Sequence, residues 1–176
     1  MQAVIRYLRA MARKQATVFA LGDLRALLPN HKEGAFRSLI ARLETSGELR
    51  RVCRGIYVLP DSPLPGSELL GCTAARLRPH RFNYLSLETV LSDAGIISQI
   101  LLGRITLMSS GRSNVIPCGA YGTIEFVHTQ RTAAQLASQL TYDSRNHLWR
   151  ATPDLALRDM RITRRDTGLV VQGASA

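Results

Sequence analysis

The sequence predicts an α+β chain in two parts: three helices closed by a β-hairpin, then a mixed α/β domain with a small sheet. Three observations predict it. Residues 60–66 read PDSPLPG, and proline lacks a backbone N–H and restricts its predecessor, so neither helix nor central strand runs through them. Before this Pro-rich linker, apolar residues at helical spacing give way to one basic, glycine-turned stretch, GELRRVCRGIYVLP. After it, segments of helix and strand character alternate. The expected domains are 1–60 and 67–171.

In the first part, Val4, Leu8, Met11 and Ala12 keep helical spacing from the start to about Lys14. The run FALGDLRALLP gathers Leu21, Leu24, Ala26, Leu27 and Leu28 into a second short helix that Pro29 stops. In NHKEGAFRSLIARLETSG, Asn30 followed by Glu33 has the spacing of a capping box, and Phe36, Leu39, Ile40 and Leu43 form an i, i+3, i+4, i+7 stripe. Gly47 stands where a C-terminal glycine cap belongs. Two short strands, 49–53 and 56–59, then flank Arg54-Gly55, where glycine permits a positive φ. Three helices followed by a hairpin is the order of a winged helix-turn-helix.

Beyond the linker, Ser86 is the expected N-cap of a helix over 87–94 that Gly95 stops. Strands are expected at 104–109, 122–128 and 147–151, a helix at 133–140, and a last helix from Pro153 to about Met160. Tyr84 and Trp149 are the expected core anchors, and the tail should fray beyond Val171.

Composition narrows the function. The 176 residues carry 23 Lys and Arg against 13 Asp and Glu, a net charge of +10. Residues 1–60 hold eleven of those bases and only four acids, so the excess is concentrated where a polyanion or an acidic partner would be met. No apolar run approaches the ~20 residues that span a bilayer, and no membrane partner is expected. The basic start MQAVIRYLRAMARKQ lacks the apolar run of a secretory signal. Cys53, Cys72 and Cys118 form neither a disulfide framework nor a metal-ligand spacing, and a bacterial cytoplasm is the expected compartment.

Enzymatic readings find no foothold. A nuclease core of clustered carboxylates needs a lysine, and none follows Lys32. His80, His128 and His147 stand in no nucleophile context such as GxSxG, and GAYG at 119–122 has neither the lysine of a P-loop nor the GxGxxG spacing. No catalytic residue, cofactor or metal is expected.

The third predicted helix turns its stripe inward, which leaves His31, Gly34, Ser38, Ala41, Arg42 and Thr45 opposite, flanked by Ala35 and Arg37. An ordinary solvated face would carry long Glu and Lys side chains. Small residues instead let a helix backbone approach a major groove. The candidate DNA contacts are therefore His31, Lys32, Arg37, Ser38 and Arg42 on the helix, with Arg50, Arg51 and Arg54 bracketing the hairpin turn for phosphate. Edge-strand protection by charge explains one or two of these arginines but poorly explains three.

These segments resemble a known family. GELRRVCRGIYVLP is similar to the end of the N-terminal winged helix of AbiEi-type antitoxins, with its G-x-[IL]-x-R-x-x-R-G-[IVL]-Y signature. RFNYLSLETVLSDAGIIS, ITLMSSGRSNVIPCGAYGTIEFVHT and RATPDLALRDM resemble three further family segments in the same order, and the four cover most of residues 18–160. The resemblance implies a DNA-binding autorepressor of type IV abortive-infection toxin-antitoxin systems. Such a protein binds inverted repeats in its own promoter, with a homodimer on DNA as one arrangement, and is encoded beside a nucleotidyltransferase-like toxin. It carries Arg50, Arg51, Arg54 and the helix residues over as DNA contacts. Asp154 stands where the family has Glu, Arg158-Asp159-Met160 replaces a more apolar helix end, and the chain stops where many relatives continue. Two alternatives stay open: a stand-alone regulator of a mobile element, and an interaction module that docks an acidic partner with DNA contact secondary.

Overall fold

A computed structural model describes residues 2–12, 18–98 and 102–167, and the chain divides into two units between Pro65 and Gly66. The first unit runs α1 (Gln2–Ala12), β1 (Val18–Ala20), α2 (Leu21–Ala26), α3 (Glu33–Thr45), β2 (Arg50–Cys53) and β3 (Ile56–Val58). β3 is the middle strand of an antiparallel sheet ordered β1-β3-β2, with Val18 opposite Val58 and Arg51 opposite Tyr57. One cluster holds helices and sheet together: Ile5 and Leu8 from α1, Leu24 from α2, Phe36, Leu39, Ile40 and Leu43 from α3, and Tyr57 from β3. Burying each large apolar side chain stabilises the unit by about 1.5–3 kcal/mol, several times the propensity difference between ordinary helix residues. Packing, not propensity, therefore sets how α3 is rotated.

The second expected helix forms, as α2, while Val18–Ala20 just before it is a strand for which no expectation stood; Val18 and Phe19 are buried and find their ladder partners on β3. One local expectation fails here. Asn30 does not cap α3. The His31 amide closes a turn onto the Leu28 carbonyl at 3.2 Å, the helix begins only after Lys32, and Lys32 occupies the N-cap without a side-chain bond. The expected end of the first helix near Lys14 and the tail beyond Val171 lie outside the described residues.

The second unit comprises α4 (Gly66–Leu77), β4 (Asn83–Leu85), α5 (Leu87–Asp93), β5 (Arg104–Ser109), β6 (Asn114–Pro117), β7 (Thr123–His128), α6 (Ala133–Leu136), β8 (Leu140–Asp143), β9 (Leu148–Ala151) and α7 (Pro153–Ile162). Its sheet is ordered β6-β7-β5-β4-β9-β8, with β5–β7 and β4–β9 parallel and the other pairs antiparallel. The helix expected over 133–140 is shorter than its spacing suggests. The Thr152 amide takes the Gln139 carbonyl at 2.9 Å, which draws 140–143 into the ladder with β9. Trp149 is not a core residue: it is 42% exposed, while its neighbour Leu148 is buried, as strand alternation requires. Tyr84 is fully buried.

A buried polar network ties this unit together. Ser86 stands at the N-cap of α5, but its hydroxyl donates to Asp159 Oδ2 of α7 at 2.6 Å. The Thr89 amide is capped instead by Thr106 Oγ1 of β5, at 3.2 Å. Asp159 has no solvent exposure, and its second oxygen accepts from the Arg131 guanidinium, which also donates to the Tyr84 hydroxyl at 3.2 Å. Removing one partner of such a pair is costly because the other charge stays half-buried.

Asp159→Ala should therefore destabilise the second unit by about 3 kcal/mol or more, and Arg131→Met added to it should recover part of that loss. Urea denaturation followed by the emission of Trp149, the chain's one tryptophan, measures both.

Candidate nucleic-acid interface

α3 presents two faces of opposite character. Phe36, Leu39, Ile40 and Leu43 are buried, while Gly34, Ala35, Arg37, Ser38, Ala41, Arg42 and Thr45 are exposed; His31 and Lys32, expected on this face, are exposed but precede the helix, in the turn and at the N-cap. The outer face is low. A Cβ built on Gly34 meets nothing within 4 Å, and the Thr45 hydroxyl folds back onto the Ala41 carbonyl at 3.0 Å. Ser38 and Arg42 lie one turn apart on it.

The helix ends in a tight reversal that brings the hairpin in. Gly47 has φ +71°, its amide bonds the Glu44 carbonyl at 3.0 Å, and the Glu48 amide bonds the Leu43 carbonyl at 2.9 Å. This paired closure is a Schellman motif. Leu49 follows, buried in the same cluster as Leu43, and β2 starts one residue later.

Arg50 and Arg51 are both exposed, although neighbours on a strand normally face opposite sides. β2 is an edge strand, and its register shifts between Arg51 and Cys53, where a bulge admits an extra residue. Arg54 is exposed at the turn beside Gly55, whose φ is +79°. The Gly55 carbonyl accepts the Leu21 amide at 2.8 Å, so the hairpin turn is pinned to the start of α2. Tyr57 couples the hairpin to α3: burial first and then the Glu44 carboxylate push its hydroxyl above the ordinary pKa, while Arg51 pulls it down.

Not all the basic side chains are equally available. Arg37 pairs with Glu33 one turn back at 2.7 Å, and Arg51 Nε donates to the Cys53 carbonyl at 3.4 Å. Arg25 is structural, donating to the Leu28 carbonyl at 3.1 Å and lying 5.1 Å from the Phe36 ring centroid. Lys32, Arg42, Arg50 and Arg54 form no side-chain ion pair among the described residues. The structure thus sets Ser38 and Arg42 on one open helix face and Arg50, Arg51 and Arg54 on the adjoining hairpin. Among the described residues no cluster of His, Cys, Asp or Glu could hold a metal ion, and no helix is long and apolar enough to cross a membrane.

One pair of exposed rings escaped the sequence reading, Tyr142 and Trp149 in the second unit. The alternation around buried Leu148 was the signal that could have found it.

No family model matches the chain, and neither does any curated protein. Among solved structures it is similar to the Rv2827c protein of Mycobacterium tuberculosis, with 17% identity and a TM-score of 0.62 over 92% of this chain. The match spans 61% of that protein's length, and the likeness is one of fold.

Gly47→Ala should cost the first unit about 1 kcal/mol, because a Cβ there meets no atom within 4 Å and only the left-handed backbone resists it. Gly47→Asn should cost less. Thermal melting monitored by circular dichroism distinguishes the two.

Proposed function

We propose that the first unit is a winged helix-turn-helix that binds double-stranded DNA, with α3 in the major groove and the β2–β3 hairpin as a wing on the phosphate backbone. The observation that carries this reading is the pairing of a small-residue outer helix face with unneutralised arginines on the adjoining hairpin. A B-form major groove is about 12 Å wide and admits a helix, and a face of Gly, Ala and Ser lets the backbone enter deeply. Arg42, one turn beyond Ser38, reaches base edges. His31 and Lys32 lie at the α3 N-terminus, where backbone N–H groups and the helix dipole favour phosphate. Arg37, held by Glu33, contributes less.

The biological role we infer is transcriptional repression of the chain's own promoter, as the antitoxin of a type IV abortive-infection pair. The resemblance of four ordered segments to AbiEi-type proteins supports it. An inverted-repeat operator and a neighbour-encoded nucleotidyltransferase-like toxin are the partners this role requires.

Fluorescence anisotropy with the duplex upstream of the chain's own gene, against a scrambled duplex, tests the reading; equal affinity for the two contradicts it. In Arg51→Ala/Arg54→Ala, binding to both duplexes should weaken, and the slope of log K against log[salt] should flatten by about 0.9 for each phosphate that is no longer neutralised. Arg42→Ala should instead lower the preference for the upstream duplex by about tenfold or more, while the salt slope stays within about 0.9 of its original value.

A further inference from the structure

In the second unit, one cleft combines unmatched positive charge with exposed aromatic rings. It opens between the 78–83 turn after α4 and the β8–β9 edge of the sheet, and encloses about 200 Å³. Tyr142 and Trp149 face each other across the two strands, 52% and 42% exposed, with ring centroids 5.4 Å apart in an edge-to-face pair. Phe82 lines the other side and packs at 5.3 Å on the buried Tyr84. A sheet edge is ordinarily blunted with charge; this one carries two large rings.

Charge in the cleft has a single sign. Arg78, Arg81 and His147 line it, and no carboxylate does. Arg78 is fixed in place: it donates to Ser109 Oγ at 2.8 Å and to the Arg112 carbonyl at 2.7 Å, and lies 3.8 Å from the Phe126 ring centroid. Burial, and then the neighbouring Arg81 charge, hold its pKa below the ordinary value. The turn carrying both arginines is rigid, since Asn83 Nδ2 donates to the carbonyls of Arg78 and Arg81 at 2.9 and 2.8 Å. The carboxylate beside Tyr142, Asp143, is occupied within its own turn by the amides of Arg145 and Asn146 and the side chain of Asn146. His147, at φ +54°, closes the turn between β8 and β9 beside these rings.

A second cavity, of about 190 Å³, makes a useful contrast. Its Arg150 is paired with Asp93 at 2.8 Å and its Arg104 with Glu125 at 2.6 Å, so both of its guanidiniums are answered by carboxylates. In the aromatic cleft no carboxylate of the lining answers Arg81, while the Arg78 guanidinium is held by partners outside it.

We propose that this cleft binds a nucleoside phosphate, the base lying against Trp149 and Tyr142 and the phosphate between Arg81 and His147. Flat π-faces take any base, and a guanidinium takes phosphate in fixed geometry. The site is built wholly from second-unit residues and does not depend on the DNA reading of the first unit.

Calorimetry on the full chain tests this, with AMP, GMP, CMP and UMP, adenosine, inorganic phosphate, and a 5′-phosphorylated single-stranded hexanucleotide as probes. Emission from Trp149, the chain's one tryptophan, reports occupancy of the cleft directly. At least one mononucleotide should bind saturably below about 1 mM and quench that emission, with adenosine and phosphate each about tenfold weaker or more. Arg81→Glu, at an exposed position, should weaken binding about tenfold or more without altering the circular dichroism, and Trp149→Ala should do so independently. Binding by the hexanucleotide alone assigns the same chemistry to a strand end rather than a free nucleotide. No saturable binding by any mononucleotide or the hexanucleotide, or binding unchanged by Arg81→Glu, overturns the proposal.

Discussion

Four side chains on one stripe of α3, Phe36, Leu39, Ile40 and Leu43, decide which way the first unit faces. Successive helix residues are about 100° apart, so a one-residue rotation would bring Arg37 or Ala41 inward and turn Phe36 or Ile40 to water. Losing one large apolar burial costs about 1.5–3 kcal/mol, and burying an unpaired guanidinium costs more. No property of the outer face competes with that. Gly34, Ser38 and Ala41 are exposed because the other face has no alternative, and their small size is then free to serve another purpose. Stability determines the orientation of the helix, and the residues left outside determine what it can touch.

The hairpin follows from the same constraint through a short covalent path. Gly47 reverses the chain immediately after α3, Leu49 re-enters the cluster beside Leu43, and Tyr57 sits within electrostatic reach of Glu44 and Arg51. Helix face and hairpin are therefore placed by one packed core. In the second unit a polar network does comparable work. There Asp159, Arg131, Ser86 and Tyr84 join α7, β4 and the segments beside them, which leaves the β8–β9 edge and its rings outside.

Features governed by local spacing were legible in the sequence. The α3 stripe, the Gly47 cap and the Gly55 turn each require a particular residue at a particular offset, and each appears in the structure. Features that depend on a distant partner were not. Val18–Ala20 becomes a strand because β3 offers it a ladder, and β8 forms where helical spacing pointed to the end of a helix because β9 draws it in. Thr106, far along the chain from Ser86, contributes the oxygen that caps α5, while Ser86 turns to Asp159. Asn30 had the right spacing for a capping box, but the turn after Pro29 placed the helix start later than that box requires. Candidate site residues were legible because exposure on α3 is the complement of its stripe. Their availability was not, since the Arg37–Glu33 pair is visible only once side chains are placed.

The central claim is that the open face of α3 and the adjoining hairpin meet DNA together. Amide chemical-shift mapping of the full chain, titrated with the duplex upstream of its own gene, tests it most directly. The account predicts the largest shifts at Gly34, Ser38, Ala41 and Arg42 and at Arg50, Arg51 and Arg54. Shifts that leave these positions unmoved while the duplex binds elsewhere would contradict it.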